Sequence, residues 1–181
     1  MLLPIMRKFV TAVAWLAVIL VVVFDIMLVI GLAIPKEHSA TRTLASNQPP
    51  PVIWQTVTDF AHQPAWNSQV KSAERLPDHD GLPLWRETYT GDQHLTLETL
   101  ESVPPSYLVR RITDEKAPFS GSWEFEISTS GAGSTIKITE RSRIRNPFYR
   151  FVDKFFIGYS SGIDMYLKAL AAKFGEPARI S

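Results

Sequence analysis

The chain has 181 residues, 45% of them hydrophobic and 20% charged, with a formal net charge of +1. That length fits one domain with an appendage. The near-zero charge argues against a nucleic-acid-binding domain, which carries a strongly basic face, and the absence of cysteine excludes a disulfide framework, a thiol nucleophile and Cys-ligated zinc or iron–sulfur sites.

The first predicted element is an apolar helix. From Phe9 to Ile34 only Thr11, Asp25 and Gly31 interrupt the hydrophobic run. A helix of this length reaches roughly 39 Å, enough to cross a hydrocarbon core of about 30 Å with some tilt. A cleaved signal peptide competes with this reading, since Gly31-Leu32-Ala33 resembles a weak cleavage site, but a signal core is usually only ~7–15 residues long. A buried helix of a soluble protein would show a polar face, and this segment has none. Asp25 is read as a protonated or water-reaching carboxyl, because no basic residue shares the span. Arg7 and Lys8 precede the span while Lys36 and Arg42 follow it, so the positive-inside rule decides weakly. The tighter N-terminal pair favours a cytoplasmic N-terminus and an extracytoplasmic main domain. The boundary falls at 35/36, giving an anchor over 1–35 and a folded domain over 36–181.

From Lys36 onward the chain carries equal numbers of basic and acidic residues. Ser39–Ser46 is β-prone. Pro49-Pro50-Pro51 then opens a helix, because proline suits the first turn, where its missing N–H is not needed. Val52, Ile53, Val57 and Phe60 give that helix its apolar stripe. Pro64 interrupts it, and Ala65-Trp66-Asn67 is expected to start a second short helical turn. From Val70 to Arg145 the apolar period becomes two. Strands are predicted over Val70–Leu76, Leu84–Thr90, His94–Val103, Tyr107–Thr113, Gly121–Ser128 and Thr135–Ile144. The turn sequences Asp78-His79-Asp80-Gly81, Gly91-Asp92, Pro104-Pro105 and Gly131-Ala132-Gly133 separate them. Short turns between successive strands imply an antiparallel meander. Asn146-Pro147 begins what reads as one long helix, Phe148–Phe174. Its apolar stripe runs through Phe148, Phe151, Val152, Phe155 and Phe156, then Ile163, Tyr166, Leu167 and Leu170. Gly158 and Gly162 fall inside it, as a kink or as room for a ligand.

The order strand, two short helices, six strands, long helix reads as an α+β fold: a curved antiparallel sheet of about seven strands gripping a C-terminal helix. At this point the chain resembles the START-like helix-grip superfamily (SRPBCC, or polyketide cyclase/Bet v 1-like), in particular a membrane-anchored bacterial subset. The resemblance covers roughly Ser39 to Glu176. It rests on Pro50-Pro51-Val52-Ile53-Trp54 through Thr58-Asp59-Phe60, on Gln63-Pro64-Ala65-Trp66-Asn67, and on Trp85-Arg86-Glu87 with Pro104-Pro105. Gly121-Ser122-Trp123-Glu124-Phe125 followed by Gly133-Ser134-Thr135 adds to it. So do Asn146-Pro147-Phe148-Tyr149-Arg150-Phe151 and Tyr166-Leu167-Lys168. The resemblance implies a hydrophobic-ligand cavity between sheet and helix. The family shares no catalytic motif, so no catalytic residue is carried over.

The residues themselves offer little recognisable chemistry. His38, His62, His79 and His94 form no zinc-type pair, and Asp78-His79-Asp80 reads as turn chemistry before Gly81. No Gly-x-Ser-x-Gly elbow, phosphate loop or dinucleotide fingerprint is present, and no cofactor or metal is expected. Strand parity is more informative. Glu140 shares a face with Ile136 and Ile138, Arg110 with Leu108 and Ile112, and Glu87 with Trp85 and Tyr89. An inward charge must be paired or shift its pKa. It serves either as half of an Arg–Glu pair at a cavity rim or as an anchor for a ligand headgroup. The expected lining from the sheet side is Trp66, Trp85, Glu87, Tyr89, Arg110, Trp123, Phe125, Ile138 and Glu140. From the helix side it is Phe151, Phe155, Tyr159 and Met165. Arg141, Arg143, Arg145 and Arg150 form a basic cluster read as a solvated face.

The leading functional reading is a membrane-tethered, non-enzymatic binder of a small hydrophobic or lipid-like molecule. A cyclase or dehydratase working through pocket acids is the alternative, and a protein-interaction module a further one. The sequence assigns no oligomeric state.

Overall fold

The computed structural model describes residues 3–114 and 119–181. The chain divides into two compact units, which are taken in turn. One combines Met1–Lys36 with Ile144–Ile157, and the other combines Glu37–Arg143 with Gly158–Ser181.

The first unit is built on helix α1, Leu3–Ala33. Its side chains from Met6 to Ile26 are exposed on every face, as expected for a segment with no polar stripe. Only towards its end is one face covered. Helix α3, Pro147–Val152, packs there, followed by a wider π-type turn over Asp153–Ile157. Asn146 caps α3, its side-chain oxygen accepting from Phe148 N–H at 2.8 Å, and Pro147 occupies the first turn. Gly31 makes the approach possible: a Cβ there would stand 2.0 Å from the carbonyl oxygen of Pro147. Phe148 packs on Phe24 with ring centroids 5.5 Å apart. Arg150 is buried and donates from Nη1 to the carbonyl of Ile34 at 2.7 Å. A cation at that position suits the negative end of the α1 dipole. Arg150 is therefore no part of a solvated basic face. Within the other unit, Arg141 faces Glu124 and Arg143 faces Glu37, which disperses the expected cluster further.

The second unit is an eight-stranded antiparallel sheet with two helices on its inner face. The strands are β1 (Glu37–Ser46), β2 (Val70–His79), β3 (Leu82–Tyr89), β4 (His94–Val103), β5 (Tyr107–Ile112), β6 (Phe119–Ser130), β7 (Gly133–Ile144) and β8 (Arg179–Ile180). Their order is β2-β3-β4-β5-β6-β7-β1-β8. The meander is the one expected from the short turns. β1 closes back onto β7, with Glu37 opposite Arg143 and Ser46 opposite Ser134. The eighth strand was not expected. It is two residues long, too short for any period, and pairs Ile180 with Leu44.

Helix α2, Pro50–Thr58, begins at the predicted proline and buries Ile53 and Val57. The second helical turn lies earlier than expected. It is a 3₁₀ turn over Phe60–Ala65 that includes Pro64, closed by Trp66 and Asn67 N–H groups donating to the Gln63 carbonyl. Proline is tolerated there because three-residue turns at a helix end demand few intrahelical donors.

The single long helix is also corrected. After the π-type turn Gly158 adopts φ +89°, a conformation that breaks the helix, and helix α4 then runs from Ser161 to Lys173. Arg42 of β1 holds its first turn, donating to Ser160 Oγ at 2.7 Å and to Asp164 at 3.1 Å. Ile163, Tyr166, Leu167, Leu170 and Ala171 of α4 form one core with Ile53, Val57 and Phe60, and with Leu44, Leu108, Phe125, Ile127, Ile136 and Ile138 of the sheet. Full burial of such a side chain is worth about 1.5–3 kcal/mol, so this face holds the unit together.

Candidate functional site

Within this apolar core sits a small polar group. Glu87 of β3 is fully buried and Arg110 of β5 is 6% exposed. Strand β4 lies between their strands, so the two long side chains reach across it. Arg110 Nη1 donates to Glu87 Oε1 at 2.6 Å, and the Tyr89 hydroxyl donates to Oε2 at 2.5 Å. Both carboxylate oxygens are therefore engaged. The guanidinium lies over the Phe60 ring, with Cζ 3.9 Å from the centroid, in a cation–π contact. In register, Arg110 stands between Thr99 of β4 and Trp123 of β6.

The arrangement leaves polar atoms unmet. Nε and Nη2 of Arg110 and Oγ1 of Thr99 are all buried without a hydrogen-bond partner. Orphaned buried donors cost about 1–3 kcal/mol each, and more when charged. Such a cost is rarely kept in a core unless something else occupies the site. The Nε–Nη2 edge of a guanidinium is a planar two-donor fork, shaped for a carboxylate or phosphate.

Aromatic rings surround this group. Tyr166 of α4 meets Trp66, Trp123 and Phe125 edge to face at 5.4, 5.6 and 5.8 Å. Trp85 packs on Phe60 at 5.6 Å. Gly162 of α4 lies against Trp123, where an added Cβ would find the ring at 3.6 Å. Burial, then the neighbouring Glu87 charge, pushes the Tyr89 phenol well above its ordinary value. Burial likewise raises Tyr166. Both phenols therefore stay protonated near neutral pH, and Tyr89 donates to Glu87.

Of the residues singled out in the sequence, Trp66, Trp85, Glu87, Tyr89, Arg110, Trp123 and Phe125 come together here. Ile138 is fully buried in the same core. Glu140 lies half-buried near the far end of β7, opposite Ala40. Tyr159 stacks on His38 with centroids 4.1 Å apart. Phe151 and Phe155 do not belong to this unit: they pack on each other at 4.9 Å within the α1 unit, and Phe155 is 55% exposed. Met165 points away from the core at 44% exposure. The misplacement follows from the break at Gly158, which ends the continuous stripe. Sequence reading missed Thr99, Phe60 and Tyr166 as site neighbours. Thr99 shares parity with Leu95 and Leu97, which was the available signal.

A second charged cluster occupies the opposite face. Glu98 of β4 is 1% exposed and accepts from His79 at 2.9 Å and from Arg111 at 2.6 Å. The hydrogen bond to Glu98 raises the His79 pKa, and the same bond lowers that of Glu98. Among the described residues, no group of three His, Asp or Glu side chains is placed to hold a metal ion.

Residues 37–175 match the sequence model of a family described as polyketide cyclase / dehydrase and lipid transport. The chain belongs to this family. Among solved structures, a START superfamily protein from Mycobacterium smegmatis superposes with a TM-score of 0.61 at 17% identity, covering 75% of this chain and 96% of that one. The Zhui aromatase/cyclase from Streptomyces sp. R1128 gives a TM-score of 0.61 at 13% identity, covering 76% and 93%. At these identities the likeness shows the helix-grip fold. A search of curated protein sequences gives no match. This polyketide cyclase/dehydrase-family domain thus has a fold that supports ligand binding or cyclase-type activity in general. It follows one N-terminal helix apolar enough to be a membrane span or a signal sequence.

Proposed function

We propose that the sheet unit binds a small hydrophobic molecule carrying an anionic or strongly accepting oxygen headgroup, and that α1 tethers it to a membrane. One observation carries this reading: the buried Nε and Nη2 of Arg110 lack partners beside the equally unmet Thr99 Oγ1. A carboxylate or phosphate-like group would accept from both nitrogens and take the Thr99 hydroxyl. The aromatic rings of Trp66, Trp123 and Phe125 suit an apolar body. Tethering would raise the effective concentration of the site near lipid. Arg7 and Lys8 favour the sheet unit lying outside the cytoplasm.

Native mass spectrometry of the full chain after gentle extraction tests the binding reading. The expected spectrum carries a bound amphiphile with an acidic headgroup. A chain that stays unliganded after extraction and after incubation with long-chain carboxylates would overturn it.

An enzymatic reading draws on the 2.5 Å contact between the Tyr89 hydroxyl and Glu87. That pair would supply a proton donor to a carbonyl held at Arg110. It is the second choice because both Glu87 oxygens are committed and neither phenol is lowered towards neutrality. Turnover of a poly-β-carbonyl substrate that disappears in Tyr89→Phe would favour it.

A further inference from the structure

The segment that packs on α1 has a surface of its own that the binding site does not explain. Between Phe148 and Ile157 the chain places five aromatic residues. Tyr149, Phe155, Phe156 and Ile157 are 49%, 55%, 75% and 58% exposed. Four large apolar side chains grouped on one short segment are unusual on a surface that faces only water. Phe151 holds Phe155 and Phe156 beside it at 4.9 and 6.1 Å.

The position of the segment identifies what covers it. It is held to α1 by three contacts described above: Phe148 on Phe24, the Pro147 carbonyl on Gly31, and Arg150 on the Ile34 carbonyl. A hydrocarbon core of about 30 Å spans roughly 20 helical residues. Counted from Phe9, the start of the apolar run, that places the far boundary near Val29. Phe24, and Phe148 with it, then falls inside the apolar layer, while Gly31 and Ile34 fall at the headgroups. The remaining faces of α1 over the same turns are apolar and exposed, Val29 at 67% and Leu32 at 66%. The exposed aromatics thus continue the surface of the span itself. Lys36, three residues past the end of α1, lies beyond that boundary, and Lys154, whose Nζ lies 5.9 Å from the Phe155 ring, puts a cation at the rim of the exposed rings. Rings with cations at their rim are the chemistry of the bilayer interface.

We infer that Pro147–Ile157 is a second membrane contact, a monotopic wedge whose Tyr149, Phe155, Phe156 and Ile157 side chains enter the outer acyl layer of the same bilayer that α1 crosses. The inference rests on the reading of α1 as a span. Its consequence is that the chain meets the membrane twice, at α1 and again after β7.

The absence of native cysteine makes a clean test available. Full-length chains carrying Phe156→Cys, Leu20→Cys or Ser130→Cys would be labelled with an environment-sensitive fluorophore. They would be reconstituted into phosphatidylcholine–phosphatidylglycerol vesicles bearing nitroxides either near the headgroup or deep in the acyl chain. The label at Phe156 is expected to be quenched several-fold more by the shallow nitroxide than by the deep one. The label at Leu20 should show the reverse, and the label at Ser130 should be insensitive to both. Tyr149→Cys provides a second probe of the wedge should Phe156→Cys fold poorly, and it should behave as Phe156 does. Wedge labels that stay aqueous while Leu20 is quenched would overturn the wedge and leave the span intact. Wedge labels that are shielded from water yet unquenched by either lipid would mean a protein partner, and would also overturn it. A Leu20 label insensitive to both nitroxides would overturn the span and the wedge together.

Discussion

Two carboxylates on adjacent strands face opposite ways. Glu87 of β3 and Glu98 of β4 are both essentially sealed from water, and each holds a basic partner at 2.6 Å. They differ in where the rest of the partner goes. The partners of Glu98, His79 and Arg111, have side chains 61% and 52% exposed, so their remaining N–H groups reach solvent. The Arg110 side chain is 7% exposed and two of its nitrogens meet nothing. A buried acid therefore does not mark a site by itself. What sets the Arg110 cluster apart is a buried, committed cation with both donors of its Nε–Nη2 edge unused.

The two clusters differ most sharply at Arg110. Arg110→Leu alone removes the cation facing the buried Glu87 and leaves that carboxyl only the Tyr89 hydroxyl, and a loss of about 3–5 kcal/mol is expected in urea unfolding. Adding Glu87→Leu removes that penalty, and the double variant should recover most of the stability or exceed the native chain. If the double variant is no more stable than Arg110→Leu, the pair is structural support and not a retained cost. Tyr89→Phe takes one hydrogen bond from Glu87 and should cost about 1.5–3 kcal/mol in the same measurement. Glu98→Gln on the outer face should cost less than Tyr89→Phe, since the exposed His79 and Arg111 side chains can turn to water.

The smallest effect is one of pH. His79 is raised above 6.5 by Glu98, so its contribution is complete below 6.5 and fades as pH rises through its own titration. Glu98 is lowered from 4.5, so its contribution is complete above 4.5 and fades as pH falls through its lowered value. The stability difference between the native chain and His79→Ala should thus be largest between these limits and vanish in mild alkali. An imidazole titration followed by NMR should place His79 above 6.5, and a midpoint below that would contradict the pair.

Much of this was legible in the residues. Period-two alternation located six of the strands, as in Trp123, Phe125 and Ile127 on β6, and Pro50 located α2. Parity alone turned Glu87 and Arg110 inward. It did not pair them, because their strands are not neighbours and parity carries no information across an intervening strand. The C-terminal stripe misled for a different reason. Phe148, Phe151 and Phe155 keep helical spacing with Ile163 and Tyr166, yet Gly158 divides the two sets between separate units. Periodicity shows that a face is apolar, but not which apolar surface receives it. Thr99 keeps the inward parity of Leu95 and Leu97, and was passed over because a lone hydroxyl on that face carries no charge to single it out.

In the function proposed above, the free edge of Arg110 receives a ligand headgroup. The most direct test follows the Arg110 Nε–H resonance in the full chain held in nanodiscs. A long-chain carboxylate and the alcohol of equal chain length would be added in turn. The carboxylate should shift that resonance downfield and protect it from exchange, while the alcohol produces little change. A carboxylate that binds, by mass, yet leaves the Arg110 Nε–H resonance where the alcohol leaves it would contradict the claim.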